Sequence, residues 1–170
     1  MQDKILLGFL MDGSKTGYEI KKTMEQSTEF FFTTSLGSIY PAFKKLEREG
    51  LVEMAESIEA GRLKKKYSIT PEGKKVFLNW ISLKTGIAKI RDEAILKVFF
   101  FNYLSPDERK NRIEEYIKEL EGHIGELLAL KSRLEKKNID AFQMTTLDMG
   151  IEYFMFMNNW YSGFLDTLKK

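Results

Sequence analysis

Residues 35–67, SLGSIYPAFKKLEREGLVEMAESIEAGRLKKKY, constrain the fold of this chain more than any other stretch. Leu36, Ile39, Phe43 and Leu46 recur at spacings of three and four, which places them on one face of a helix. The other face carries Gly37, Pro41, Lys44 and Arg48, flanked by Ser38, Tyr40 and Lys45. Pro41 lacks an N–H and is best accommodated in a first turn, so Ser38 reads as the N-cap. Gly50 suits the position after the helix end, with Leu51 folding back onto Leu46 in a Schellman arrangement. Such a helix, with an apolar back and a front of hydroxyls, an aromatic ring and cations, has the chemistry to enter a DNA major groove. Taken alone it better describes a solvated amphipathic helix.

The residues after Leu51 favour the groove-binding description. Val52, Met54, Glu56 and Ile58 alternate loosely as one strand. Lys66-Tyr67-Ser68-Ile69-Thr70 alternates cleanly as a second, with Tyr67 and Ile69 on one side. Between them Ala60-Gly61-Arg62-Leu63-Lys64-Lys65-Lys66 reads as a hairpin turn holding four cations. Clustered cations repel, and a phosphate backbone relieves that repulsion while releasing counterions. A helix followed directly by a basic hairpin is the layout of a winged helix-turn-helix. A basic hairpin by itself is also a common solvated turn.

The segment GSIYPAFKKLEREGLV, followed by GRLKKKYSITPEGKK, resembles the PadR family of bacterial transcriptional regulators. The pattern there is GSIYPxLxxLexxGLV and then GRPRKxYxLTxxG. GYEIKK at residues 17–22 also resembles the family, and the RDE-xx-LK-x-FF run from Arg91 resembles members with a longer helical C-terminal domain. The chain departs at Leu63, where the family usually has proline. The resemblance implies a dimeric repressor that binds DNA. It also implies that Ser35, Tyr18 and Tyr40 approach the DNA, with the tyrosine hydroxyls on phosphates or base edges.

Before that segment, Ile5, Leu6, Phe9 and Leu10 mark a first helix over 3–11. Thr16-Gly17-Tyr18-Glu19 is a capping box opening a second helix to about Gln26, with Ile20 and Met24 inward and Lys21 and Lys22 outward. This helix is the one expected to cross the DNA backbone. The run Glu29-Phe30-Phe31-Phe32 after it fits core better than function. Thr70-Pro71 starts another helix, to about Lys84, with Val76, Phe77, Trp80 and Ile81 as its buried stripe and Gly86 as its stop. Residues 1–86 thus read as a winged helix-turn-helix DNA-binding domain.

Residues 87–170 read as a helical dimerisation domain that could also bind an effector. Ile95, Leu96, Val98, Phe99, Phe100, Phe101, Tyr103 and Leu104 are apolar nearly all round, hence expected to be buried. Ser105-Pro106-Asp107-Glu108 combines a capping box with proline at the first helical position. The helix it opens, to about Lys137, carries Ile113, Ile117, Leu120, Ile124, Leu127 and Leu134 in a heptad seam that Lys131 interrupts. That seam can pair with a second chain, pack within its own, or do both. A last helix over 141–168 carries Phe142, Met149, Tyr153, Phe154, Met157, Trp160, Tyr161, Phe164 and Leu168, a surface that needs a partner. The expected dimer interface is Ile113, Ile117, Leu120, Ile124, Leu127, Phe154, Met157, Trp160, Tyr161 and Phe164.

Composition narrows the function classes. With 43% hydrophobic and 31% charged residues the chain is globular, and a net charge of +2 is too small to argue for nucleic acid. What matters is the local concentration of cations over 44–66. No cysteine is present, so disulfides, thiolate nucleophiles and cysteine-ligated metals are excluded. The single histidine, His123, sits near Glu119 and Glu126 on a charged helix and reads as structural. No nucleophile elbow or phosphate loop occurs, so neither an enzyme nor a cofactor is expected. No signal peptide is seen and the apolar run from Ile5 is too short to span a bilayer, which implies a cytoplasmic protein.

The fold expected is mainly α with a small β-wing. The expected partners are double-stranded DNA, through a palindromic operator, and a second copy of the chain. The DNA-binding residues expected are Tyr18, Lys21, Lys22, Ser35, Gly37, Ser38, Tyr40, Pro41, Lys44, Lys45, Arg48, Arg62, Lys64, Lys65 and Lys66. Two alternatives stand beside this reading. One is a sensor whose DNA binding is released by a small aromatic effector held by residues such as Trp160. The other is a winged-helix protein-interaction module without DNA binding.

Overall fold

The structure, a computed structural model, describes residues 1–28, 32, 35–59, 62–87, 92–137 and 139–168. The side chains of Leu36, Ser57, Glu59 and Arg62 lie outside that description, as do Glu29, Phe30, Phe31, Ala60, Gly61, Ile90 and Arg91. The chain divides into two compact units, Met1–Ile87 and Ala88–Lys170.

In the first unit, helices α1 (Gln2–Phe9), α2 (Gly17–Ser27), α3 (Leu36–Arg48) and α4 (Pro71–Ser82) surround a small antiparallel sheet of order β1-β3-β2. Its strands are β1 (Lys15–Thr16), β2 (Val52–Glu59) and β3 (Arg62–Ile69). Their common core joins Leu6, Leu7 and Leu10 of the first segment to Ile20 and Met24 of α2 and to Ile39, Phe43 and Leu46 of α3. The sheet contributes Val52 and Tyr67, and the Tyr67 ring stacks flat on Phe43 at 3.8 Å. Phe32 packs partly buried against this core.

Two junctions obey the local rules closely. After α3, Gly50 adopts φ +67, Leu51 N–H donates to the Leu46 carbonyl at 2.9 Å, and Gly50 N–H donates to that of Glu47 at 3.0 Å. That is a Schellman end, and the left-handed residue favours glycine. At α4, the Thr70 hydroxyl accepts from Gly73 N–H at 3.0 Å and Pro71 takes the first position. Gly73 lies so close to Leu51 that a Cβ would stand 2.1 Å from its carbonyl oxygen.

Three local expectations are corrected. Helix α3 begins a turn early: its N-cap is Ser35, not Ser38, and Pro41 lies inside it. Gly37, whose carbonyl Pro41 leaves without a donor, is exposed, so water can serve that carbonyl. Second, the pairing of β2 with β3 continues out to Glu59↔Arg62, so Lys64, Lys65 and Lys66 belong to a strand and not to a turn. Alternation sends successive lysines to opposite faces, and Glu56 opposite Lys65 pairs with it at 3.4 Å. Third, α4 stops at Ser82, with Leu83 extended, ahead of Gly86, and Ile81 is exposed rather than buried.

The second unit is a long antiparallel-type pairing of α6 (Pro106–Leu134) and α7 (Ala141–Leu168), preceded by the short α5 (Glu93–Phe99) and a single 3-10 turn over Phe101–Tyr103. Ser105 and Glu108 form a reciprocal capping box at the start of α6, with Pro106 first. Ile113, Leu120 and Tyr161 make one core, and Leu127, Leu147 and Ile151 another. Lys131, which breaks the apolar seam of α6, pairs with Asp148 of α7 at 2.7 Å. The expectation of a fully buried segment over 95–104 is corrected. Only Val98, Phe101 and Leu104 are partly covered, whereas Leu96, Phe99, Phe100 and Tyr103 are exposed. A seven-residue helix turns one face to α6 and α7, and no described residue covers the other.

Candidate nucleic-acid interface

The apolar face of α3 is fully used in the core, since Ile39, Phe43 and Leu46 are wholly buried. By exclusion, its opposite face is outward: Gly37, Tyr40, Pro41, Lys44 and Arg48 are all exposed. The Tyr40 ring rests against the start of α2, where a Cβ on Gly17 would meet it at 3.1 Å. Tyr18, one residue into α2, is 64% exposed, and Lys22 is exposed as well. The N-terminus of α2 is held by Thr16 and Glu19, each binding the other's backbone N–H. These bonds hold the Glu19 carboxyl below its ordinary value, and Lys66 and Lys64 lower it further.

Several of the expected contact residues are already engaged. Lys21 pairs with Glu25. Lys45 turns toward α1, where Asp3 accepts from it at 2.6 Å, and Glu49 lies 3.9 Å away. The hydrogen bond with Asp3 is the main reason its ammonium is held above its ordinary range. The Ser38 hydroxyl donates to the Ser35 carbonyl at 2.9 Å and accepts from Gln2 Nε2 at 2.9 Å. Gln2 and Asp3 therefore brace the outward helix, a role sequence reading missed because nothing local links residues some forty positions apart. Ser35 is exposed at the N-cap. On the sheet, Lys64 and Lys66 share one face, half-buried, and Lys65 faces the other way, exposed. The Arg62 side chain lies outside the described residues.

In the second unit, nine of the ten residues expected at a dimer interface are engaged in packing α6 against α7 or border that packing. Ile113, Leu120, Leu127 and Tyr161 are buried in it. Ile117, Ile124, Phe154, Met157 and Phe164 are partly buried. Trp160 is the exception, stacked on Phe164 at 5.6 Å yet exposed. It belongs to a different stripe: Phe142, Met149, Tyr153, Phe156 and Trp160 recur at spacings of seven, four, three and four and are all exposed. Helix α7 thus has two apolar faces, and only the inner one is covered. His123 is half-buried, edge-on to Phe154 at 4.5 Å and 3.7 Å from Glu126, which fits a packing role.

Beside the inner face lies a cavity of about 830 Å³ lined by α5, the 3-10 turn, α6 and α7. Tyr161, fully buried, has a hydroxyl without a hydrogen-bond partner among the described residues. Burial is the main cause that pushes this phenol up, with Asp92, Tyr116 and Tyr153 adding to it. Tyr116 is raised for the same first reason, and packs edge-on to Tyr161 at 4.8 Å. Tyr116 was legible in principle, because it falls on the face of Ile113 and Leu120. No cluster of metal-binding side chains occurs among the described residues, and no described helix is long and apolar enough to cross a membrane.

Residues 6–79 match the family model described as Transcriptional regulator PadR-like family, and residues 90–169 match that described as Virulence activator alpha C-term. A curated relative, the negative transcriptional regulator PadR of Bacillus subtilis, is 28% identical over 124 residues, or 72% of this chain and 68% of its own. Solved structures of that protein superpose well. Its complex with operator DNA has a TM-score of 0.91 at 22% identity over 98% of each chain. Its complex with p-coumaric acid gives 0.82 at 22% over 99% of this chain and 95% of that one. A PadR-like transcriptional regulator from Bacillus cereus gives 0.86 at 26% identity over 99% and 98%.

Proposed function

This chain belongs to the PadR-like family of transcriptional regulators, and from that premise we propose that it represses transcription by binding a palindromic operator as a homodimer. The family consists of DNA-binding regulators and not of enzymes. The observation that carries the reading is the outward face of α3, with Tyr40, Lys44 and Arg48 exposed over a helix whose back is wholly core. Such a face can enter a major groove without any cost to folding. Tyr18 and Lys22 of α2 lie where phosphates would pass, and the lysines of β3 supply further backbone contacts. Repression is favoured by the curated relative, which is a negative regulator. The second copy is favoured by the uncovered stripe Phe142, Met149, Tyr153, Phe156 and Trp160, because monomers rarely expose so much contiguous apolar surface. On this reading residues 1–86 bind DNA and residues 87–170 dimerise.

The cavity in the second unit favours an additional reading, that an aromatic effector bound there alters operator affinity. The Bacillus subtilis relative has been solved with p-coumaric acid, and a buried phenol without a partner is what a ligand's polar group would satisfy. The test of DNA binding is a salt titration on duplex DNA. Replacing Lys64, Lys65 and Lys66 by alanine should weaken binding to all sequences alike and lower the slope of log K against log salt by about 0.9 for each phosphate no longer neutralised. Selective loss on some sequences with an unchanged slope would show the wing reading bases. No salt-dependent binding at all would favour the protein-interaction module.

A further inference from the structure

The cavity beside α6 and α7 carries a charge pattern that the effector reading does not itself require. Its walls are largely aromatic, formed by Phe100, Phe101, Tyr103, Tyr116 and Tyr161 together with Tyr153, which it shares with the exposed stripe of α7. Four carboxylates, two cations and the aliphatic Ala94, Leu104 and Ile113 complete the lining. Both cations are taken up locally: Lys97 pairs with Glu93 at 2.7 Å and Arg112 with Glu115 at 2.7 Å. Among the described residues Asp92 and Glu119 remain without a cation. Asp92 Oδ1 accepts from Ala94 N–H at 2.8 Å and Ile95 N–H at 3.2 Å, which orders the carboxylate but leaves its charge in place. Asp92 lines the cavity, and its charge adds to the upward shift that burial first causes in the phenols of both Tyr116 and Tyr161.

An anionic ligand entering this site would meet Asp92 and Glu119, neither of them paired with a cation among the described residues, and the negative faces of several rings. A cation would gain from both, since ring faces attract positive charge and do so more strongly away from water. The volume suits a small to drug-sized molecule. We propose that the cavity binds an aromatic cation, with Asp92 and Glu119 selecting its charge, the aromatic walls holding its ring, and the buried Tyr161 hydroxyl meeting a polar group on it. The inference rests on the effector reading above and goes past it, because it assigns a charge opposite to that of p-coumarate.

The test uses the full chain and three phenols, each with a short para side chain of different charge: tyramine, a cation; 4-ethylphenol, neutral; and p-coumarate, an anion. Calorimetric titration should rank tyramine tightest, about tenfold or more above p-coumarate. In Asp92→Asn combined with Glu119→Gln that preference should shrink to about threefold or less, a loss of most of the charge selectivity. Glu119→Gln alone, on an exposed helix position, should move it in the same direction without bearing on the fold. A preference for p-coumarate, or a tyramine preference untouched by the double variant, overturns the proposal. If p-coumarate binds best and releases operator DNA, the effector reading survives and the charge assignment falls. If none of the three binds, both fall.

Discussion

Tyr40 and Phe43 lie three residues apart on α3 and do opposite jobs. Phe43 is wholly buried and stacked on Tyr67, whereas Tyr40 keeps its ring against Gly17 and is exposed. Tyr40→Phe removes a hydroxyl and leaves the ring. If that hydroxyl reaches a phosphate, operator affinity should fall by about 1.5–3 kcal/mol, somewhat over tenfold, with the melting temperature nearly unchanged. Phe43→Ala should instead cost about 3–5 kcal/mol of stability as a core truncation. Thermal melts and operator titrations on the two variants separate these effects. A Tyr40→Phe protein that melts early but binds normally would place Tyr40 in the core. Lys45 shows how far the sequence reaches at this scale. Its place on the helix surface was legible from spacing, but its engagement by Asp3 was not, since that bond joins two helices.

At the scale of the element, the helix starts were the most legible feature. Thr16, Thr70 and Ser105 each cap as their local sequence requires, because a cap needs only neighbours within one turn. The reciprocal box at Thr16 and Glu19 has a pH signature. A carboxyl held below its ordinary value of 4.5 contributes stability that is fully present above that value. The contribution is lost as pH falls through the lower folded-state value. Glu19→Gln should therefore lower the urea midpoint at pH 7 and do so much less at an acid pH below the lowered folded-state value, where the native carboxyl is also neutral. Thr16→Ala should cost about 0.5–2 kcal/mol. Its cost does not depend on the charge of Glu19 alone, so part of it should persist in acid. An equal midpoint shift for Glu19→Gln at both pH values would mean that its charge contributes nothing. Where the element's own rules conflicted, they misled. Proline preference put the start of α3 at Ser38, while the fold adds a turn before it.

For the whole molecule, the surfaces that matter are those the two units leave uncovered. The seam of α6 is occupied by α7 of the same chain, so removing residues 140–170 would strip Tyr161, Leu147 and Ile151 from the unit's own cores. Such a deletion would not report on association. Substitutions on the outer stripe do. Phe156 is 62% exposed and Trp160 lies one turn on, so Phe156→Asp with Trp160→Ala should leave helicity intact. The same pair should convert a dimer to a monomer in sedimentation and weaken operator binding at least tenfold, because each half-site alone binds weakly. A variant that still sediments as a dimer would locate the interface elsewhere, the exposed residues over 95–103 being the next face to test.

The sequence by itself determined where α2, α4 and α6 begin, which residues of α3 face inward, and the presence of a basic hairpin beside that helix. These properties depend on periodicity and on contacts within a turn, which a linear pattern records in full. Tertiary structure decided which of two apolar faces on α7 is spent at home, because both are equally hydrophobic and only the packing of α6 breaks the tie. It also decided that Lys64, Lys65 and Lys66 stand in a strand, where cross-strand pairing with residues such as Glu56 disperses their charge. The cavity around Tyr161 belongs to the same class. Its lining comes from segments up to about seventy residues apart in sequence, and no local pattern can register a void that exists only between them.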